Sequence, residues 1–230
     1  GGQVREGKIS TGYYDNSCNC MKGGYPFSNQ ADTLAFWYKF APAHAPTDSA
    51  YVYFSFKKNG SQIWVEEIFL LASANYQYVE FPFNTLTSPD TVIIEIRSTQ
   101  FKDQIPSFVG ANLKIDEIHF KSQPLTTNGQ IPGNGSQIPN NGFENWTTVG
   151  SCLQPNGWAS VNNWLGLTEN CYGMSRSADH YPPGAGSYSI KIENTISILP
   201  DWGAYGMVFT GDSTGRGADY PVFPVSGHPV

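Results

Sequence analysis

Large apolar residues alternate with polar or small ones along most of the chain between residues 33 and 121. Because successive side chains of a strand point to opposite faces, a period of two predicts half-buried β-strands. Within 33–40 one face carries Leu34, Phe36, Tyr38 and Phe40, and the other carries Ala35, Trp37 and Lys39. Within 51–57 one face carries Val52, Phe54 and Phe56, and the other carries Tyr53 and Ser55. Further strands are predicted at 63–71, 76–83, 91–98 and 112–121.

Turn-forming residues separate these predicted strands. Asn59-Gly60 lies between two alternating segments and predicts a tight hairpin. Ser88-Pro89-Asp90 likewise precedes the predicted strand at 91–98. One short apolar segment, 66–74, has a helical alternative, and we interpret it as a strand as well. The pattern as a whole predicts an all-β protein.

Composition agrees with this interpretation and narrows the possible partners. Charged residues make up only 14% of the 230 residues, and the chain contains 24 Gly and 16 Pro, which favours short strands joined by turns. The net charge of −6 repels a nucleic-acid backbone, so nucleic acid is not expected as a partner. No apolar run approaches the ~20 residues that cross a bilayer, so no membrane span is predicted.

Residues 122–140 differ in character from their surroundings. They are rich in Gly, Asn, Pro, Gln and Thr, and they contain two near copies of a short Gln-Ile-Pro motif. Such a segment has little apolar surface to bury, so it is predicted to be a flexible linker. After it, shorter strands are predicted at 143–147, 157–160, 187–193 and 205–210.

Four cysteines are present, at positions 18, 20, 152 and 171. Cys152 and Cys171 bracket a Gly- and Asn-rich loop, and a disulfide closing it would contribute ~3 kcal/mol in the chain-entropy picture. Cys18 and Cys20 alone are too few for a zinc site. We predict one or two disulfides and an extracytoplasmic location, the alternative being four free thiols.

The order of the motifs predicts that the C-terminal half of a module precedes an N-terminal half along this chain. Residues 112–120 resemble a closing strand, whereas Asn141-Gly142-Phe143-Glu144-Asn145-Trp146 resembles an opening segment. We therefore predict that 1–121 is the C-terminal portion of one β-sandwich module, 122–140 the linker, and 141–230 the N-terminal portion of a second. The two portions are expected to pack together as one permuted sandwich, although neighbouring repeats of a longer protein are alternative partners.

These motifs resemble a tandem β-sandwich module of secreted and surface proteins of Bacteroidetes. The matching elements are distributed over nearly all of the chain outside the linker, and they lie at 141–146, 155–158, 186–193, 37–40, 48–50, 89–94 and 110–118. The resemblance implies a jelly-roll-like antiparallel β-sandwich with its halves in permuted order, and an association with carbohydrate metabolism.

The opening and closing motifs also resemble those of galactose-binding-like carbohydrate-binding modules. In those modules an acidic residue of the first strand and one of the last share a structural Ca²⁺. By position these would be Glu144 and Asp116 here. Calcium prefers six to eight oxygen ligands, so these two carboxylates would supply only part of its coordination shell. The alternative is that both side chains accept hydrogen bonds near paired strand ends.

Candidate sugar-binding residues are aromatic side chains flanked by polar loop residues. Trp164 and Trp202, with Tyr205, form the predicted platform, and Arg97 and Arg176 are predicted to hold sugar hydroxyls. The alternative is that these aromatics anchor loops. Of the other tryptophans, Trp146 and Trp158 are predicted to be core, whereas Trp37 and Trp64 could face either side.

Catalytic signatures are weak by comparison. Glu66 and Glu67 are adjacent and would point to opposite faces of a strand, and the four histidines lie in unrelated contexts. The sequence still allows a glycosidase site in which distant strands contribute the two catalytic carboxylates. We predict a non-catalytic, carbohydrate-binding module of a secreted or cell-surface protein. The alternatives are a structural or adhesive spacer repeat and a glycoside hydrolase domain.

Overall fold

The computed structural model describes residues 4–5, 7–15, 18, 20–27, 31–44, 47–85, 87–100, 109–121, 138, 140–149, 152–156, 159–160, 173–196 and 208–209. Strands and turns make up this part of the chain; no helix occurs in it, hence none long and apolar enough to cross a membrane. The strands are β1 (Val4–Arg5), β2 (Lys8–Ser10), β3 (Gly12–Asp15), β4 (Cys20–Gly23), β5 (Tyr25–Pro26), β6 (Thr33–Ala41), β7 (Ala50–Lys58), β8 (Ser61–Leu70), β9 (Ser73–Pro82), β10 (Thr91–Arg97), β11 (Asn112–Lys121), β12 (Trp146–Val149), β13 (Cys152–Pro155), β14 (Ala159–Ser160), β15 (Met174–Ser177), β16 (Ser189–Glu193), β17 (Thr195–Ile196) and β18 (Val208–Phe209).

Two antiparallel sheets of five strands each form the body of the protein. The front sheet has the order β15-β16-β11-β6-β9, and the back sheet has the order β2-β10-β7-β8 with β5 also pairing with β10. Side chains from both sheets form one buried cluster. The prediction of an all-β, antiparallel protein is thereby confirmed, and the arrangement is consistent with a β-sandwich.

The core follows the alternation read from the sequence. The large apolar side chains buried in β6 are Leu34, Phe36, Tyr38 and Phe40, and those buried in β7 are Val52, Phe54 and Phe56. Between the sheets Phe27 contacts Phe56 and Phe120, with ring centroids 5.0 and 4.8 Å apart. Tilted and edge-to-face aromatic pairs of this kind contribute ~0.5–1.5 kcal/mol each beyond their burial.

Strands from both sides of the predicted linker share the front sheet. In the antiparallel register of β11 with β16, Leu113 lies opposite Ile192 and Ile115 opposite Ile190. All four side chains are fully buried. Of the linker itself, only Ile138 and Asn140 are described, and Ile138 is also buried. The segment after the linker therefore contributes to the same hydrophobic core as the segment before it.

The predicted hairpin joins β7 to β8. Asn59 and Gly60 have φ angles of 50° and 78°, the left-handed conformation that a two-residue type I′ turn requires at both positions. The Asn59 N–H also donates to the Asp90 carboxylate at 2.7 Å. The segment with a helical alternative, 66–74, is extended rather than helical, as predicted, but it is divided between the end of β8 and the start of β9 by the two-residue connection at 71–72.

Two regions differ from the sequence prediction. The strand predicted at 143–147 starts only at Trp146, because Asn140 and Phe143 have φ angles of 49° and 53° and so interrupt an extended backbone. The short strands β1 to β5, β13, β15 and β17 were not predicted. They span two to four residues each, too few to display a period.

Candidate functional site

An array of aromatic rings lies on the outer face of the front sheet. The alternation that buries Phe36 and Tyr38 turns Trp37 outward, and the register of β6 with β9 places Tyr78 beside it. The rings of Trp37 and Tyr78 are 5.0 Å apart, and His119 of β11 stacks on Tyr78 at 6.5 Å. We call the set Trp37, Tyr76, Tyr78, His119 and Tyr181 the aromatic face.

The segment between β15 and β16 crosses this face and completes it. Tyr181 packs against Trp37 with ring centroids 4.2 Å apart and stacks on Tyr76 at 5.9 Å. Its backbone N–H donates to Asp116 Oδ2 at 3.0 Å. The Asp179 carbonyl accepts hydrogen bonds from the Tyr76 hydroxyl at 2.5 Å and the Ser189 hydroxyl at 2.7 Å. The rings are therefore held in place by the sheet and by backbone hydrogen bonds.

Charged side chains border the rings. Asp179 Oδ2 accepts hydrogen bonds from Lys39 Nζ at 2.8 Å and from Lys114 Nζ at 2.5 Å. Partial burial acts to raise the pKa of Asp179, but the hydrogen bonds from the two lysines outweigh it and hold that pKa below its usual range. On the other side of the rings Lys121 pairs with Glu80, and its ammonium lies 5.7 Å from the centre of the Tyr78 ring. The face thus combines flat apolar surface with ionic hydrogen-bond donors and acceptors.

Exposure decides which of these groups an incoming ligand can reach. Tyr78 is 37% exposed and is the most accessible ring of the set, whereas Trp37, Tyr76 and Tyr181 are half-buried. The side chain of Asp179 is 40% exposed, and that of Lys39 is 32% exposed. One aromatic ring and one ion pair are therefore available together on the same surface.

A second cluster is acidic and lies where the segment at 140–144 meets β11. A bulge in β11 between Asp116 and His119 gives Glu117 a φ angle of 50°. Glu144 accepts the backbone N–H groups of Ser187 at 2.8 Å and Tyr188 at 2.9 Å. This is the hydrogen-bonding role that was the alternative to calcium binding, and Glu144 thereby ties the opening segment to the turn before β16.

Burial dominates the electrostatics of this cluster. It raises the pKa of Asp116 to about 7, and the neighbouring charges of Glu117 and Glu144 act in the same direction, while the N–H groups of Tyr181 and Glu117 oppose the shift. The oxygen chemistry of these carboxylates fits calcium. Within the described ranges, however, no group of three or more His, Cys, Asp or Glu side chains is arranged to hold a metal ion. Calcium at Asp116 and Glu144 stays a prediction.

The sequence-predicted sugar-binding residues are not grouped in the described part of the protein. Trp164, Trp202 and Tyr205 lie outside the described residues. Arg97 belongs to β10 of the back sheet, where its Nε donates to Glu95 at 2.6 Å and its guanidinium lies 5.5 Å from the Tyr51 ring. Arg176 belongs to β15 of the front sheet and lies 4.1 Å from the Tyr188 ring. The two arginines are thus on different sheets, and the guanidinium of each lies over the ring of a different tyrosine.

The remaining sequence predictions concern cysteines and tryptophans. Cys18 and Cys152 are both disulfide-bonded, which excludes the alternative of free thiols for these two residues. Cys171 lies outside the described residues, so its pairing with Cys152 stays a prediction. Trp146 packs against the core as predicted, and Trp158 lies outside the described residues.

Sequence reasoning did not single out the aromatic face, although part of its signal was present. The alternation in 33–40 already placed Trp37 and Lys39 on the face opposite the core. Tyr76, Tyr78 and Glu80 are spaced by two and fall on one face of β9. What the sequence lacked was the pairing of β6 with β9, which brings the two sets together.

Comparisons with known proteins do not assign a function to the aromatic face or to the acidic cluster. No protein-family model, curated protein or solved structure matches the chain. The resemblance to the Bacteroidetes module therefore stays a prediction, and any function must be argued from the site itself.

Proposed function

We propose that this chain is a non-catalytic carbohydrate-binding module and that the aromatic face is its glycan-binding surface. The observation that carries the proposal is an accessible ring, Tyr78, in an array that continues through Trp37 and Tyr181 to the ion pairs of Asp179. A sugar ring has C–H-rich faces that stack on aromatic rings, and hydroxyls at its rim that need hydrogen-bond partners. Both requirements are met within one surface.

The polar groups are suited to hydroxyls. The ammonium groups of Lys39 and Lys114 donate and the carboxylate of Asp179 accepts, so a pair of neighbouring hydroxyls finds partners of both kinds. Hydrogen bonds to charged groups contribute ~1.5–3 kcal/mol each, about twice as much as those between neutral groups. Because these charges are already paired, the ligand does not need to carry a charge of its own.

The fold and the location of the protein belong to the same proposal. Pairing of β16 with β11 across the linker supports a jelly-roll-like sandwich whose two portions occur in permuted order. The disulfide-bonded Cys18 and Cys152 support a secreted or cell-surface location, because disulfides persist in oxidising compartments. A structural calcium ion at Asp116 and Glu144 is also part of the proposal, since it would relieve the mutual repulsion of the acidic cluster.

The two alternative functions are less well supported by the aromatic face. A purely structural spacer would gain nothing from a tyrosine that is 37% exposed beside half-buried rings. A glycoside hydrolase needs two carboxylates free to act as acid and as nucleophile or base. On this face Asp179 is paired with two lysines and Glu80 with Lys121.

A glycan array tests the proposal with a matched pair of variants. Tyr78→Ala removes the accessible ring of the aromatic face. Tyr53→Ala removes a half-buried tyrosine from the outer face of the back sheet, where its hydroxyl hydrogen-bonds Gln62. We expect the wild type and Tyr53→Ala to bind the same glycans and Tyr78→Ala to lose them. Equal binding by all three proteins would reject the aromatic face as the site.

A further inference from the structure

Both sheets end at the same flank of the sandwich. β8 is the last strand of the back sheet and β9 the last of the front sheet, and only two residues, Leu71 and Ala72, connect them. Among the described strands, β8 pairs on one side alone, with β7. Its other edge is ten residues long and presents backbone N–H and C=O groups that can pair with another strand.

Apolar side chains line this edge on both faces of β8. On the outer face Ile63, Val65 and Phe69 are 37%, 44% and 42% exposed, and Leu71 beyond the strand end is 72% exposed. On the inner face Trp64 and Ile68 are only partly buried where they pack against the core. The hydrophobic core therefore extends to the protein surface at this flank. Adjacent apolar surface together with an open strand edge is typical of a site to which a strand is added.

The charges on β8 restrict what can be added. Glu66 and Glu67 lie at the middle of the strand and point to its inner and outer faces, and β8 contains no cationic residue. If β8 paired with β8 of a second copy, parallel or antiparallel and with the strand centres aligned, the carboxylates of Glu66 and Glu67 from both copies would lie next to one another. β9 of a second copy contains Glu80 and no cation either. Like charges opposite each other destabilise a strand pair, so pairing with β8 or β9 of a second copy is disfavoured.

We propose that the open edge of β8 binds an extended peptide strand of a protein partner, with two consecutive basic residues flanked on both sides by apolar ones. Consecutive residues of an added strand point to opposite faces, so the basic pair meets Glu66 on the inner face and Glu67 on the outer face. The flanking apolar residues cover Trp64 and Ile68 on the inner face and Val65 and Phe69 on the outer face. Backbone hydrogen bonds to the edge supply sequence-independent affinity, and the carboxylates supply selectivity.

Peptide binding measured by fluorescence anisotropy tests this proposal. The probe is a labelled ten-residue peptide with Lys-Lys at its centre, two Val residues on each side of that pair and Thr at the remaining positions, and the comparison peptide has Glu-Glu at the centre instead. We expect the wild type to bind the Lys-Lys peptide in preference. Glu67→Lys, at an exposed position, should weaken that binding about tenfold and strengthen binding of the Glu-Glu peptide. Val109→Lys, which replaces another exposed apolar residue away from β8, should leave both affinities unchanged.

Three results of the peptide measurements would overturn the proposal. The first is that the wild type does not bind the Lys-Lys peptide, and the second is that Glu67→Lys keeps the peptide preference of the wild type. The third concerns a Lys-Lys peptide whose edge-facing amides are N-methylated, so that it cannot form the strand pair: it binds as tightly as the unmethylated peptide. A wild-type dimer that is lost on Val65→Lys would assign the edge to a second copy instead. Glycan binding serves as an independent readout, because the aromatic face lies on the other sheet and Glu67→Lys should not change it.

Discussion

Ile190→Ala tests whether the segment after the linker is part of the common core. Ile190 of β16 is fully buried and lies opposite Ile115 of β11, which is also fully buried. Truncating a buried isoleucine to alanine removes its transfer free energy and leaves a cavity, which together lower the free energy of unfolding by about 2–5 kcal/mol. Against a total of ~5–15 kcal/mol for a domain, this is a large fraction.

Urea unfolding of the oxidised protein, followed by tryptophan fluorescence and by circular dichroism, measures this loss. We expect both signals to shift together to lower urea, because both portions of the chain unfold as one unit. Lys191→Ala is the matched control: it is the next residue of β16, it is half-buried, and its ammonium pairs with Glu193 at 2.8 Å near the surface. That change should cost less than ~1 kcal/mol. A loss below ~1 kcal/mol for Ile190→Ala, or a shift in only one signal, would refute the shared core.

Three further predictions concern the acidic cluster and the aromatic face. Gly186→Ala should destabilise the protein by ~1–3 kcal/mol in the same unfolding assay, because an added Cβ would collide with the Glu144 carboxylate and displace it from its backbone donors. Millimolar Ca²⁺ should raise the melting temperature of the wild type and should not change that of Glu144→Gln. At a concentration 100 times the Kd, the free energy of unfolding of the wild type should rise by about 2.7 kcal/mol. An equal rise in melting temperature for both proteins would contradict calcium binding at this site. Asp179→Asn should weaken glycan binding equally at pH 5 and pH 8. In the wild type the pKa of Asp179 is held below its usual range, so its ion pairs are present at both pH values and are lost only as the pH falls through that lowered pKa. A loss of binding by the wild type between pH 8 and pH 5 would contradict this assignment.

The parts of the fold that the sequence predicted are those with long alternating segments. β6 and β7 repeat large apolar residues at every second position, so their inner and outer faces could be assigned before any partner strand was known. The hairpin at Asn59-Gly60 was predictable because a type I′ turn requires positive φ at both residues. Short strands such as β15 carry no comparable signal, and their position depends on pairing with β16.

The candidate site was less predictable, because it depends on strand order. Trp37 could be assigned to an outer face from its spacing, but its neighbours Tyr78 and Tyr181 are distant in sequence and meet it only through the front sheet and the segment that crosses it. Asp179 has no distinguishing pattern in the sequence, and its role becomes visible only through its ion pairs with Lys39 and Lys114 on two other strands. Cross-strand neighbours are set by register, which a single sequence specifies only indirectly.

Ring-proton chemical shifts during a titration with an array-selected oligosaccharide would show whether the aromatic face of the front sheet binds a glycan. We expect saturable shifts at Tyr78 and Trp37, while the shifts of Tyr51 and Tyr53 on the back sheet stay unchanged. Shifts confined to the back sheet, or no saturable shift at Tyr78 under conditions where the oligosaccharide binds, would contradict glycan binding by the aromatic face.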